Sequence, residues 1–115
     1  TTMLALLWRG DATIGFMYLE LPSRLDLKRA HEDVDTRHIS DAAIRSEHQG
    51  AGLVGLLMHA VEETLRARAI RYVTRNVKIS NGYADIVERH YRGRIVEAHN
   101  HVTRWGHQRW FKITV

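Results

Sequence analysis

Apolar residues recur along the chain with two different periods, and the change of period separates strands from helices. Two runs near the start, MLALLWR and ATIGFMYLE, are rich in aromatic and large aliphatic residues and are too short for helices. Gly10 and Asp11 join them and suit a tight turn, so an antiparallel hairpin is predicted. Residues 21 to 35 hold the single proline and are predicted to be a connection with no more than one helical turn.

The middle of the chain reads as a strand, a glycine cluster and a long helix. TRHISDAAIR alternates in part and predicts a strand. From Leu53 to Ala69 apolar residues recur at steps of three and four, which predicts an amphipathic helix. Glu62 is expected on the polar face, where it precedes Arg66 by the four residues that suit an ion pair.

The second half predicts one strand, one helix and a closing hairpin. IRYVTRNV is a strand, and Ser80 is a possible N-cap for a helix from Asn81 to Tyr91 that Gly93 ends. RIVEAHNHVTRW and HQRWFKITV close the chain as strands around Gly106. The predicted class is α/β (α+β), in the order β-β-β-α-β-α-β-β, with a mixed and mostly antiparallel sheet that has a parallel central step.

Composition limits the possible classes of protein. The 115 residues, 44% hydrophobic and 26% charged, predict one folded domain over 1–115. Without cysteine there is no disulfide, thiolate zinc site or cysteine nucleophile. No apolar run reaches bilayer length, so no membrane partner is predicted and a cytoplasmic location is expected. Lys and Arg number 17 against 13 Asp and Glu, which favours an anionic partner.

Three glycines before the long helix spell G-x-G-x-x-G, at Gly50, Gly52 and Gly55. A dinucleotide site would need a buried preceding strand and an acid after the following strand, and both are missing here. No Lys-Ser or Lys-Thr follows the glycines, which excludes a Walker loop. Glycines at a helix N-terminus still let unpaired N–H groups approach an anion, and a diphosphate is the natural ligand.

At these residues the chain resembles the GNAT family of acyl-CoA-dependent N-acetyltransferases. The family signature is Gln or Arg, two residues, Gly, one residue, then Gly or Ala; Gln49 and Gly52 match it, and Val54 stands at the last position. The resemblance implies a GNAT-like fold and acetyl-CoA as cosubstrate. It also implies that the turn holds the CoA pyrophosphate through Gln49, Gly50, Ala51, Gly52, Leu53 and Val54.

The second half of the chain is similar to the family as well, and coverage runs from Met3 to Val115. The resemblance implies that Asn81 touches CoA and that Tyr91 protonates the leaving thiolate, although Glu88 stands where the family tyrosine usually falls. The family's first strand and its N-terminal helices are expected to be missing, which implies a trimmed chain or a reduced acceptor site. The ending GHQRWFKITV also resembles short GNAT-like proteins of tailed bacteriophages, virion components among them.

An acyltransferase also needs a base that takes the proton of the attacking amine. Glu47 is the predicted base, and Asp41, His48 and Glu20 are further possibilities near the expected cleft. Each of them could instead be a solvated surface residue.

For two other clusters of residues, a structural role is favoured over a binding site. His99 and His101 share one side of a strand and could begin a metal site with His107 or His90, but a surface pair is the commoner outcome and no metal is predicted. RWGHQRWFK interleaves arginine and tryptophan as a nucleic-acid surface does. Packing of Trp105, Trp110 and Ile113 in the terminal hairpin explains it better.

Three functions follow from these observations. The leading hypothesis is an N-acyltransferase that moves an acetyl group from acetyl-CoA to an amine by direct attack in a ternary complex. The second is a GNAT-fold structural or interaction protein without catalysis, such as a phage virion component, which Val54 and the missing segment favour. The third, a basic nucleic-acid-binding module, is the least favoured. Exposed terminal strands offer an edge for a homo-oligomer or another protein assembly.

Overall fold

The fold is described from a computed structural model, which covers residues 2–21, 34–50 and 52–115. The predicted connection at 21 to 35 therefore falls largely outside the described residues. The elements in chain order are β1 (Met3–Arg9), β2 (Ala12–Glu20), β3 (Thr36–Ile44), a short 3-10 helix (Ser46–His48), α1 (Leu53–Ala67), β4 (Tyr72–Lys78), α2 (Tyr83–His90), β5 (Ile95–Thr103) and β6 (Gly106–Thr114).

The described strands form one six-stranded mixed sheet, as the sequence predicts. Its strand order is β1-β2-β3-β4-β6-β5. The β1–β2, β2–β3, β4–β6 and β5–β6 pairs are antiparallel, and the β3–β4 pair is parallel. The predicted mixed sheet and the predicted order of strands and helices are both confirmed. A parallel pair requires a crossover, and α1 supplies it between β3 and β4.

The core lies between the sheet and the two helices. Alternate strand residues point to the helices because successive side chains on a strand face opposite sides. The most completely buried of these are Met17, Leu19, Val73, Phe111 and Ile113. From α1 the apolar stripe contributes Leu57, Met58, Val61 and Leu65, which confirms the predicted period of that helix.

The charges of α1 differ from the prediction. Glu62 does not lie on the solvent face: it is 5% exposed and pairs with Arg94, which follows α2. A buried carboxylate needs a cation, and the partner here is 32 residues away rather than four. The predicted surface pair with Arg66 is therefore wrong.

The start of α2 also differs. Gly82, in a left-handed conformation with φ of 76°, is the N-cap in place of Ser80, and the helix begins at Tyr83. The side-chain oxygen of Asn81 accepts the Tyr83 N–H at 3.0 Å and satisfies one of the free amides of the first turn. The helix ends at His90, so Tyr91 is its C-cap.

The two parallel strands separate soon after they meet. Their pairing covers Thr36 to His38 on β3 and Tyr72 to Thr74 on β4. Both strands continue beyond that point, β3 to Ile44 and β4 to Lys78. An opening therefore forms between them at the middle of the sheet, next to the first turn of α1.

Candidate functional site

The opening between β3 and β4 is a cavity of about 440 Å³, called the strand cleft below. One wall is the part of β3 from Ile39 to Ile44, which pairs with β2 but not with β4. The opposite wall is Arg75 and Asn76 of β4. Backbone groups on this length of β3 have no strand partner on the β4 side in the described register. The cleft therefore offers main-chain donors and acceptors to an extended ligand.

The glycine turn lies at one end of the strand cleft. Gly50 and Gly52 have φ of 83° and 73°, a left-handed conformation that other residues adopt at a cost. Gly52 is the N-cap of α1, and no side chain caps the helix. The first turn of α1 also contains no acidic residue. Within its own first turn, the helix thus has no carboxylate to offset the partial positive charge of this end.

A second cavity, of about 370 Å³, lies against this turn and is called the turn cavity. His48, Gln49, Gly50, Gly52, Leu53 and Val54 line it, together with Ile44. Gln49 Nε2 donates to the Ile44 carbonyl at 2.9 Å, which ties the turn to the end of β3. Gln49 thereby fixes the position of the turn. Free amides at a helix N-terminus of this kind can bind an anion.

A third cavity, of about 250 Å³, lies between α1 and α2 and is called the helix gap. Tyr91 lines it and is 4% exposed. Burial raises the pKa of the Tyr91 hydroxyl above its usual value, and the nearby Arg75 charge opposes that rise. The Tyr91 phenol therefore keeps its proton at neutral pH.

Val54 lies where the three cavities meet. It lines the strand cleft, the turn cavity and the helix gap, and its side chain is 48% exposed. Its branched side chain therefore takes up space at the one position that lines all three cavities. The departure from the family signature thus falls at the center of the candidate site.

The remaining predicted site residues lie apart from this junction. Glu47 is exposed on the 3-10 helix and lines none of the three cavities. Its own backbone N–H and the Ser46 hydroxyl lower the pKa of its carboxyl group. Asn81 is exposed and is engaged at the start of α2. Ala51 lies outside the described residues.

Of the further candidate bases, Asp41 is best placed. It lines the strand cleft on β3, and its Oδ1 accepts the Ala42 N–H at 2.9 Å. His48 lines the turn cavity, and Glu20 accepts a hydrogen bond from the Ser40 hydroxyl. The structure therefore brings Asp41 to the cleft that also contains Gln49 and Val54.

The sequence analysis missed Arg75. On β4 it alternates with the buried Val73 and Val77, so it lies on the apolar side of the strand. It lines both the strand cleft and the helix gap. The sequence did contain a sign of it: Arg75 stands between Val73 and Val77 at alternate positions of a strand whose other members on that side are apolar. An arginine on such a side needs either a partner or a functional role.

The structure also places the residues of the histidine pair and of the terminal hairpin, whose three apolar residues were all predicted to pack. His101 Nε2 lies 2.7 Å from Asn76 Oδ1, and no group of three potential metal-ligating side chains occurs among the described residues. Trp110 and Ile113 are buried as expected. Trp105 is 65% exposed, so its predicted packing is wrong, and the Arg104 guanidinium lies 4.5 Å above its ring.

Comparison with solved structures identifies the fold. A ribosomal-protein-alanine N-acetyltransferase from Brucella melitensis superposes with a TM-score of 0.71 at 13% identity, covering 96% of this chain and 67% of that one. A GNAT-family protein from Desulfovibrio desulfuricans gives 0.73 at 12% identity, covering 98% and 68%. A GNAT acetyltransferase from Elizabethkingia anophelis with acetyl-CoA bound gives 0.71 at 15%, covering 97% and 75%.

The chain therefore has the fold of the GNAT acetyltransferases. No protein-family model matches it, and no curated protein matches it either. The chain spans about two thirds to three quarters of the length of these structural neighbours. No described helix has the length and apolar character needed to cross a bilayer. The resemblance to phage proteins stays a prediction.

Proposed function

We propose that this protein is an acyl-CoA-dependent N-acyltransferase that transfers an acetyl group from acetyl-CoA to an amine. One observation carries the proposal: the uncapped, acid-free N-terminus of α1 opens through a left-handed glycine turn onto the gap between two separating strands. Within a GNAT fold this arrangement provides an anion site and an extended groove next to each other. A diphosphate at the turn directs the rest of the donor along β3.

The described residues suit direct transfer in a ternary complex. The amine nitrogen attacks the thioester carbonyl, a C–N bond forms and the C–S bond breaks. Asp41 or Glu47, acting through water, receives the proton of the amine. Tyr91 supplies a proton to the departing sulfur, since burial raises its pKa and keeps the phenol protonated. The products are an amide and the free thiol of CoA.

The activity is tested by measuring thiol release from acetyl-CoA in the presence of a panel of primary amines. We expect release that depends on both the amine and the protein and that saturates with acetyl-CoA. Mass spectrometry of the product should show the amine heavier by one acetyl group. Release without an acetylated amine would indicate hydrolysis and would count against transfer.

The glycine turn gives the first mutational prediction. Alanine at Gly52 has to adopt a φ of 73°, which costs about 1–2 kcal/mol in an L-residue. A shift of the turn that relieves this strain points the helix amides away from the diphosphate, and one charge-assisted hydrogen bond contributes about 1.5–3 kcal/mol. We expect Gly52→Ala to weaken acetyl-CoA binding about tenfold or more, measured by calorimetry.

Gly10→Ala is the matched control. Gly10 has a φ of 63° in the β1–β2 turn and lines none of the three cavities. Both variants should lose a similar amount of stability in thermal unfolding, while the control keeps wild-type affinity. Equal affinities for the two variants would mean that the glycine turn does not hold the donor.

Val54 gives the opposite expectation. Val54→Ala removes two methyl groups from the junction of the three cavities and places a better helix former near the start of α1. We expect acetyl-CoA to bind several-fold more tightly. Leu56→Ala is the control, because Leu56 is 58% exposed on the same helix and lines none of these cavities. Unchanged affinity in Val54→Ala would show that the valine leaves enough room for the donor.

A second function is favoured by an apolar stripe on the edge strand β1. Leu4, Leu6 and Trp8 alternate on one side of the strand and are 57%, 45% and 56% exposed. Such a stripe on an edge strand is suited to protein association. Together with Val54, it supports an interaction protein of GNAT fold without catalysis. A monomer in light scattering that also turns over acetyl-CoA would exclude this alternative.

A further inference from the structure

Arg75 holds its charge on the apolar side of the sheet. In the β4–β6 register it lies opposite Phe111, which is fully buried, and the residue itself is partly buried. Its Nε atom is buried and has no hydrogen-bond acceptor. The guanidinium carbon lies 5.6 Å from the centroid of the Tyr83 ring. The Tyr83 ring is thus a cation–π partner of this guanidinium.

Two other partly buried arginines, Arg94 and Arg109, have acidic partners, and a third, Arg37, donates to the backbone carbonyls of Val34 and Thr36. Arg94 pairs with Glu62, and Arg109 lies 3.5 Å from both Asp85 and Glu88. Arg75 forms no ion pair or hydrogen bond with any described residue. Taking a charge out of water is unfavourable unless a counter-charge or hydrogen bonds compensate it. The protein thus keeps a partly buried cation that has no carboxylate or hydrogen-bond partner among the described residues, where the strand cleft and the helix gap meet.

The position of Arg75 distinguishes it from the proposed diphosphate site. The turn cavity is lined by the glycine turn and by His48, and Arg75 does not take part in it. Val54 lines all three cavities, and Ile44 and Gln49 line both the turn cavity and the strand cleft. An anion at Arg75 is therefore a second anionic group, farther along the cleft than the first.

We propose that Arg75 binds a carboxylate carried by a substrate in the strand cleft, so that the enzyme selects a carboxylated reaction partner. The proposal rests on the acyltransferase function proposed above. A guanidinium matches a carboxylate through two parallel hydrogen bonds, and these are stronger at a site with little water. The carboxylate belongs either to the acyl group of the donor or to the acceptor amine, and both sources place the same chemistry at Arg75.

Two comparisons separate these sources. The donor arm measures the binding of acetyl-CoA and of succinyl-CoA by calorimetry. The acceptor arm measures acetyl transfer to alanine and to ethylamine, which lacks the carboxylate. Both arms use the full chain as wild type, Arg75→Gln and Arg75→Lys. Arg66→Gln serves as the control, since Arg66 is exposed on α1 and lines none of the three cavities.

We expect the wild type to prefer the carboxylated ligand about tenfold to a hundredfold in one arm. Arg75→Gln should lose this preference, measured as the ratio between the two ligands within each variant, Arg75→Lys should keep part of it, and the control should match the wild type. Binding of acetyl-CoA without preference in either arm would overturn the proposal. A fall in affinity for acetyl-CoA and for succinyl-CoA by the same factor in Arg75→Gln would also overturn it, because the guanidinium would then contact CoA itself.

A direct titration keeps this inference separate from the acyltransferase proposal. The Nε–H signal of Arg75 is followed by NMR, assigned by its absence in Arg75→Gln, while glutarate or glutaramide is added. A saturable shift with glutarate and none with the neutral diamide supports the carboxylate site, even if acetyl-CoA does not bind. No shift with glutarate overturns it, even if the protein turns over acetyl-CoA.

Discussion

Tyr91→Phe should lower the rate of acetyl transfer about a hundredfold or more while leaving the binding of acetyl-CoA unchanged. A positioned general acid contributes about 10²–10⁴ to a rate, and this substitution removes the proton without removing the ring. No described residue hydrogen-bonds the Tyr91 hydroxyl, so the variant should fold with wild-type stability. Turnover is measured with saturating donor and acceptor, and binding by calorimetry.

The pH dependence of the wild type provides an independent check on Tyr91. Because burial raises the pKa of Tyr91, the protonated and active form persists above the ordinary tyrosine value of about 10. We expect no loss of turnover from Tyr91 ionisation below that pH.

Tyr72→Phe is the matched control for Tyr91→Phe, since Tyr72 is a half-buried tyrosine on β4 that lines none of the three cavities. An equal loss of rate in both variants would contradict a role for Tyr91 as the acid.

Asp41→Asn is expected to lower the rate of transfer by about two orders of magnitude, because an amide cannot take the proton of the attacking amine. Asp41 lies opposite Tyr18 in the β2–β3 register, on the side of the sheet away from the core, and it lines the strand cleft. An amine approaching from that side meets the carboxylate before it reaches the donor. The change keeps nearly the same shape, and Asp41 is exposed, so stability should change little.

Glu47→Gln separates the two proposed bases. The low pKa of the Glu47 carboxyl keeps it ionised at neutral pH, but the residue is exposed on the 3-10 helix outside the three cavities. We expect a smaller loss of rate than for Asp41→Asn when both variants are measured with the same amine at saturating acetyl-CoA. The reverse order would assign the base to Glu47 and would require the acceptor to approach from the glycine turn.

Local patterns predicted the strands and α1 because each is set by side chains close in sequence. Short runs of aromatic and large aliphatic residues identified β1 and β2, and steps of three and four identified the stripe that Leu57, Val61 and Leu65 bury. The start of α2 was predicted two residues early. Ser80 is the stronger N-cap by residue type, yet the left-handed Gly82 and the Asn81 side chain set the boundary instead.

Long-range contacts decided what the sequence could not show. The burial of Glu62 depends on Arg94, which a helix pattern cannot place next to it. The exposure of Trp105 follows from its place in the turn before β6, where the sheet offers no neighbour. The meeting of three cavities at Val54 depends on the separation of β3 from β4. The position of Arg75 on the apolar side of β4 could be predicted from alternation, but the cleft beside it could not.

A calorimetric titration of the full chain with acetyl-CoA tests the central claim most directly. The account predicts saturable binding with a dissociation constant in the range of common enzyme substrates, about 1 μM to 1 mM, and weaker binding to Gly52→Ala than to Gly10→Ala. Absence of binding at millimolar acetyl-CoA to the folded wild type would contradict it. The glycine turn would then be an entry to a helix and not a site for a diphosphate.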